Sequence, residues 1–122
     1  MNKFKITTEL REILLETPEI SALVGNKIFP LIAPDSTEGD FISYQRDGYK
    51  QERNQMGVSR QIPIVFINAV SEDYDRSQEL ASLIYEALEG SFENPNMIIH
   101  LEDSTEDYDM GKYIQVLQFS IE

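Results

Sequence analysis

Between residues 60 and 70 the chain reads RQIPIVFINAV. Ile62, Ile64 and Phe66 alternate with Val65, Ile67 and Ala69, so both sides of an extended segment are apolar. Such a strand is stable only when both faces are covered, which places it inside a sheet rather than at an edge. Pro63 sits near its start, where a missing ladder hydrogen bond is tolerable. The polar residues SEDYD follow, and then Leu80, Ala81, Ile84, Ala87 and Leu88 fall at helical spacing. The pattern predicts a helix over 72–89, with Ser71 as N-cap, acids in its first turn complementing the helix dipole, and Gly90 just past its end. A buried strand that runs straight into an amphipathic helix calls for a sheet with helices laid on it.

The other segments fit around that unit. Ile6, Leu10, Ile13 and Leu14 mark an amphipathic helix over 3–16, with Asn2 as the candidate cap. TPEISALVG predicts a second, short helix at 18–24, with Thr17 as cap, Pro18 in the first turn and Gly25 as the stop. Ile28 and Phe29 make at most a short edge strand before the irregular stretch PLIAPDSTEGD. FISYQRDG is a strand ending in a turn at Asp47 and Gly48, and 49–59 is polar and aperiodic, so a mobile arm is expected at about 47–60. SFENPN is expected as a loop, MIIHLED as a strand, STEDYDMG as a polar turn, and KYIQVLQFSIE as a closing strand paired antiparallel to MIIHLED. The expected fold is α+β, in a single domain over 1–122: a mostly antiparallel four-stranded sheet with an N-terminal helix, a short second helix and one long helix packed on one face. Helices can cover only one face of that sheet, so its other apolar face must curl over itself or meet another chain.

Charge divides the chain. The net charge is −12, and 71–109 carries 12 acids against one base, Arg76. Residues 1–70 are nearly neutral, with 9 acids and 8 bases, and 46–60 holds four bases against two acids. An acidic body with a locally basic arm argues about partners rather than about fold. It disfavours nucleic-acid recognition, because few cations are available to replace counterions. With no cysteine, no signal-peptide core and no long apolar run, the expectation is a soluble intracellular protein without a membrane segment.

The polar residues match no catalytic or metal-binding pattern. His100 is the only histidine and lies in a strand pattern, so a zinc site would need it together with carboxylates alone, a poor ligand set. Taking Asp103 as the first position of a calcium loop puts Tyr108 where glycine belongs and Ile114 where the bidentate glutamate belongs. The glycines form no phosphate-binding loop, and no serine has the context of a nucleophile elbow. No enzyme, cofactor or metal is expected from these residues.

Four stretches taken in order resemble a phage protein family, the small tail-completion or tail-terminator proteins of long-tailed phages and prophages. They are TPEISALVGNKIFPLIAP after the first helix, DFISYQRDG, IPIVFINAVSEDYDRSQELASLIYEALEG and YIQVLQFSIE, and together they span nearly the whole chain. The chain is more acidic than that family's pattern, and PLIAPDSTEGD departs from its compact connection. The resemblance implies a structural protein, found in the virion tail and in the host cytoplasm during assembly. It implies a homo-oligomeric ring, six copies, at the head-proximal end of the tail tube. There the ring would end tube polymerisation and contact the tail tube protein and the head–tail connector, with no catalysis and no sequence-specific nucleic acid. In a cyclic ring, unlike patches of neighbouring subunits meet. The candidate subunit or partner contacts are therefore the bases Arg46, Lys50, Arg53 and Arg60 and the acids Glu102, Asp103, Glu106, Asp107 and Asp109. The alternatives are an acidic regulatory or inhibitory protein-binding module, and an enzyme with a divalent metal on Asp103, Asp107 and Asp109.

Overall fold

The computed structural model describes residues 5–34, 37–54, 57–93 and 96–122, with the backbone alone over 47–61. The elements run α1 (Ile6–Leu15), α2 (Pro18–Val24), β1 (Ile28–Pro30), β2 (Phe41–Asn54), β3 (Gly57–Ser71), α3 (Tyr74–Leu88), β4 (Gly90–Phe92), β5 (Met97–Asp109) and β6 (Lys112–Ile121). Among the described residues the strands form one curled sheet in the order β1-β2-β3-β6-β5-β4. Only β1 and β2 pair in parallel.

The expected four-stranded, mostly antiparallel sheet is thereby corrected to a mixed six-stranded one within an α+β fold. The two additional strands have three residues each and lie at the edges of the sheet: β1 is the short edge strand allowed for at Ile28 and Phe29, whereas β4 is too short to carry a periodic signal. One of them, β4, draws Ser91 and Phe92 from the stretch expected to be a loop.

The central strands are covered on one face and not, as the apolar run of β3 predicts, on both. β3 lies between β2 and β6, and the side chains of Val65, Ile67 and Ala69 are fully buried together with Ile42, Leu117, Phe119, Ile99 and Ile121. Against that face lie Ile6, Leu10 and Leu14 of α1, Ile20 and Val24 of α2, and Leu80, Ile84 and Leu88 of α3, in one core cluster. Each of these buried aliphatic side chains contributes roughly 1.5–3 kcal/mol of transfer free energy. The opposite face, carrying Ile64, Phe66, Ile114 and Val116, receives no helix from this cluster and is only half-buried.

Several local expectations change. α3 begins at Tyr74, capped by Asp73, whose Oδ1 accepts from the Asp75 N–H at 2.9 Å. Ser71, the expected cap, is instead the last residue of β3 and is completely buried. Gly90 does lie just beyond α3, where it opens β4 at φ 133°. Thr17 Oγ1 donates to Ile13 O of α1 at 2.9 Å and makes no side-chain cap to α2. The expected turn at Asp47 and Gly48 is a register shift inside β2. Within the stretch expected as an aperiodic arm, residues 49–54 and 57–59 belong to β2 and β3, paired to each other from Gly48 with Ile64 to Asn54 with Gly57. Asn2 lies outside the described residues.

The largest local correction concerns STEDYDMG. Residues 104–109 extend β5 rather than forming a turn, and the reversal is confined to Met110 and Gly111. Both have positive φ, 50° and 82°, as the tight two-residue hairpin requires. Gly111→Ala places a Cβ in that conformation and is expected to cost about 1 kcal/mol. The check is a lower urea midpoint at an unchanged slope.

Candidate assembly surfaces

The two charged regions occupy opposite ends of the sheet. β3 pairs with β6 only from Ile64 onward, so β2 and β3 project past the sheet as a two-stranded ribbon. Lys50, Arg53 and Arg60 lie on that ribbon, opposite Ile62, Val58 and Glu52 respectively. Arg46 does not: it pairs with Val65 within the body of the sheet and is half-buried. At the other end β5 and β6 run past Ser71 to the turn at Met110 and Gly111. A rise of about 3.3 Å per residue along β3 and β6 sets Gly57 and that turn roughly 50 Å apart along the strand path.

The five acids share β5 but divide between its faces. Glu106 lies opposite Gln115 on the helix side. Its Oε2 accepts from Gln115 Nε2 at 2.7 Å and from the Tyr74 hydroxyl at 2.7 Å. Tyr113 stacks edge-on against Tyr74 at 5.4 Å and packs on Tyr108 at 4.9 Å, so the hairpin is held to the first turn of α3. Glu102 sits at the register shift in β5 and accepts from the Ser120 hydroxyl at 2.6 Å. Asp103, Asp107 and Asp109 face away from the helices, opposite Gln118, Ile114 and Lys112. Four residues of extended strand between Asp103 and Asp107 separate them by about 13 Å, too far to share one ion. Among the described residues no group of three or more His, Asp or Glu converges as metal ligands.

The hydrogen bonds from Gln115 and then Tyr74 hold the Glu106 carboxyl below the usual carboxylate range, and the bond donated to Glu106 raises the Tyr74 hydroxyl. A depressed carboxylate favours the folded hairpin above its unfolded value, and that contribution is lost as pH falls through the folded value. The expected result is a Glu106 side-chain carbon titrating below the usual carboxylate range by NMR. Gln115→Leu should move it back toward that range, more than Tyr74→Phe does.

The junction between β3 and α3 fastens the loop ahead of β2. Asp40 is 5% exposed and its carboxylate accepts from the Ser71 hydroxyl at 2.8 Å. It also accepts from Arg76 Nη2 at 3.3 Å and forms an ion pair with Arg76 Nε at 3.2 Å. The same loop is held by Lys27 Nζ on Glu38 O at 2.8 Å and by Lys112 Nζ on Thr37 O at 3.1 Å, with Lys112 also over the Phe41 ring at 4.9 Å. Thus the single base among 71–109 is spent on a structural pair. At the far edge, Glu89 serves the sheet: its Oε2 accepts from Leu101 N–H at 2.7 Å, and its Oε1 lies 3.6 Å from Nδ1 of His100.

These contacts frame a groove of about 770 Å³ on the helix-free face, between residues 31–34 and the β5–β6 turn. Phe41, Val70, Ile114 and Val116 line its apolar part, and Asp107, Asp109 and Lys112 are its charged groups. Leu31, Ile32 and Met110 line it while standing 63%, 83% and 90% exposed. Sequence reasoning foresaw an uncovered apolar face but not this groove, because the loop and the turn that bound it meet only in the folded chain.

No protein-family model matches the chain, and no curated protein matches it significantly. Among solved structures it is similar to a chain in the virion of a native gene transfer agent particle, with a TM-score of 0.75 and 13% identity. The alignment covers 92% of this chain and 89% of the other. The two chains share a fold from end to end. Among the described residues no helix is long and apolar enough to cross a membrane.

Proposed function

We propose that this chain is a structural, non-enzymatic component of a phage-like tailed virion. It is a tail-completion protein that forms a six-membered ring at the head-proximal end of the tail tube, ends tube growth and meets the head–tail connector. The observation that carries this reading is that one sheet bears unlike, oppositely charged projections at its two ends. Identical chains joined through two different patches associate head to tail, and a ring is the closed form of that association. The end-to-end fold likeness to a virion chain supports the same reading.

Two measurements test it. Six copies of the 14.0 kDa chain give a ring of about 84 kDa, expected in sedimentation or light scattering as concentration rises. Salt near 1 M shortens the Debye length to about 3 Å and is expected to shift that mass toward the monomer. Reversing Lys50, Arg53 and Arg60 to glutamate together should have the same effect at low salt. In native particles, gold-labelled antibody to the chain should mark the head–tail junction. Particles free of label, with a monomer that binds a basic protein one to one, would replace this reading with the acidic binding module.

A further inference from the structure

We infer that the groove between residues 31–34 and the β5–β6 turn is the seat of the neighbouring copy's β2–β3 ribbon. The inference rests on the ring reading and names the contact that would build it.

The groove is held open at a local conformational cost. Leu31 and Met110 are the non-glycine residues with positive φ among those described, at 62° and 50°, and both stand at this groove. Left-handed backbone disfavours side chains of that size, and a two-residue hairpin turn is normally built from Asn, Asp or Gly. Here it carries a methionine, which is 90% exposed. With Ile32, these are the most exposed large apolar side chains among the described residues. Strained and solvated apolar side chains gathered at one rim contribute nothing evident to the single chain and much to a docking surface.

The occupant follows from charge and topology. Asp107 and Asp109 flank the apolar floor, and the groove's base, Lys112, is already engaged on Thr37 and the Phe41 ring. A fitting segment is therefore basic with some apolar character. The ribbon carries Lys50, Arg53 and Arg60 together with Tyr49 and Val58. From Gly48 to Pro63 its strands pair with each other and with no third strand among the described residues. A lone two-stranded ribbon is marginal in water, so seating it on a neighbour stabilises it as well as the ring. A chain cannot fill its own groove this way, because ribbon and groove lie at opposite ends of its sheet. The contact is heterologous, as ring closure requires.

The chain has no cysteine, so engineered disulfides report unambiguously. Val58→Cys and Met110→Cys proteins, one carrying a mass tag, are mixed and mildly oxidised. A mixed cross-linked dimer is expected, well above the yield from Val58→Cys with Ser91→Cys, whose thiol lies on the exposed part of β4. Ile32→Cys in place of Met110→Cys should also give the mixed product. If ring mass is present without the mixed product, the groove seat is overturned and the ring stands; if both are absent, the seat is overturned and junction labelling decides the ring. Met110→Gly supplies a second readout. It should raise the thermal midpoint by relieving the turn, and weaken association by about tenfold through loss of the apolar rim. Unchanged association in that variant would also overturn the seat.

Discussion

Phe119→Ala should lower the unfolding free energy by about 3–5 kcal/mol. Phe119 is fully buried on the helix-covered face of β6, between Val65 of β3 and Leu101 of β5, in the cluster that receives all three helices. A benzyl group removed there takes with it the packing of two neighbouring strands, and a sheet pinned on both sides can close the void only partly. The loss is a large fraction of the roughly 5–15 kcal/mol that stabilises an ordinary domain. Denaturant titration should show a reduced midpoint at constant slope. A loss below about 1 kcal/mol would mean that the core relaxes around this site far more than its position allows.

Arg76→Ala should cost about 1.5–3 kcal/mol, the range for hydrogen bonds to a charged group. The substitution leaves the buried Asp40 carboxylate with the Ser71 hydroxyl and without its two-armed guanidinium partner. Arg76 is itself about half exposed, so the loss comes mainly from stranding the acid, not from removing a surface charge. Asp40→Asn in the Arg76→Ala background should therefore recover part of the stability, a coupling that a double-mutant cycle measures directly. Additive effects would show that the two side chains act independently. Because Asp40 anchors the loop that bounds the groove, Arg76→Ala should also weaken association beyond its effect on folding.

Much of the architecture was legible because it follows from short-range pattern. The alternation of Ile62 to Ala69 reads as a central strand buried on both faces; β3 is central, but Ile62, Ile64 and Phe66 on its helix-free face are only half-buried. The spacing of Leu80, Ile84 and Leu88 marks the face that α3 buries, and TPEISALV marks α2 to the residue. Pairing of the last two strands followed from their proximity in sequence. The errors fell where local chemistry is ambiguous. Ser71 and Asp73 are both good caps by type, and only the continuation of β3 through Ser71 decides between them. STEDYDMG has the composition of a turn, yet backbone pairing with β6 carries its first six residues as strand. Ladder hydrogen bonds to a formed partner strand outweigh a propensity scale that spans only about 1 kcal/mol.

The candidate contacts divide the same way. That the chain is acidic with a basic stretch is a matter of counting residues. Which charges are available to a partner is not: Arg46 joined the body of the sheet, Glu102 and Glu106 found hydrogen bonds within the chain, and Asp107 and Asp109 came to the groove. Residue type and period were enough to place the three helices, the inner parts of the long strands, the apolar faces and the distribution of charge. Tertiary structure alone decided that the basic ribbon and the acidic hairpin project from opposite ends, and that Leu31 and Met110, far apart in the chain, bound one groove. The reason is register: the offset between β3 and β6 sets both overhangs, and it is fixed by packing across the sheet rather than by any residue's own preference.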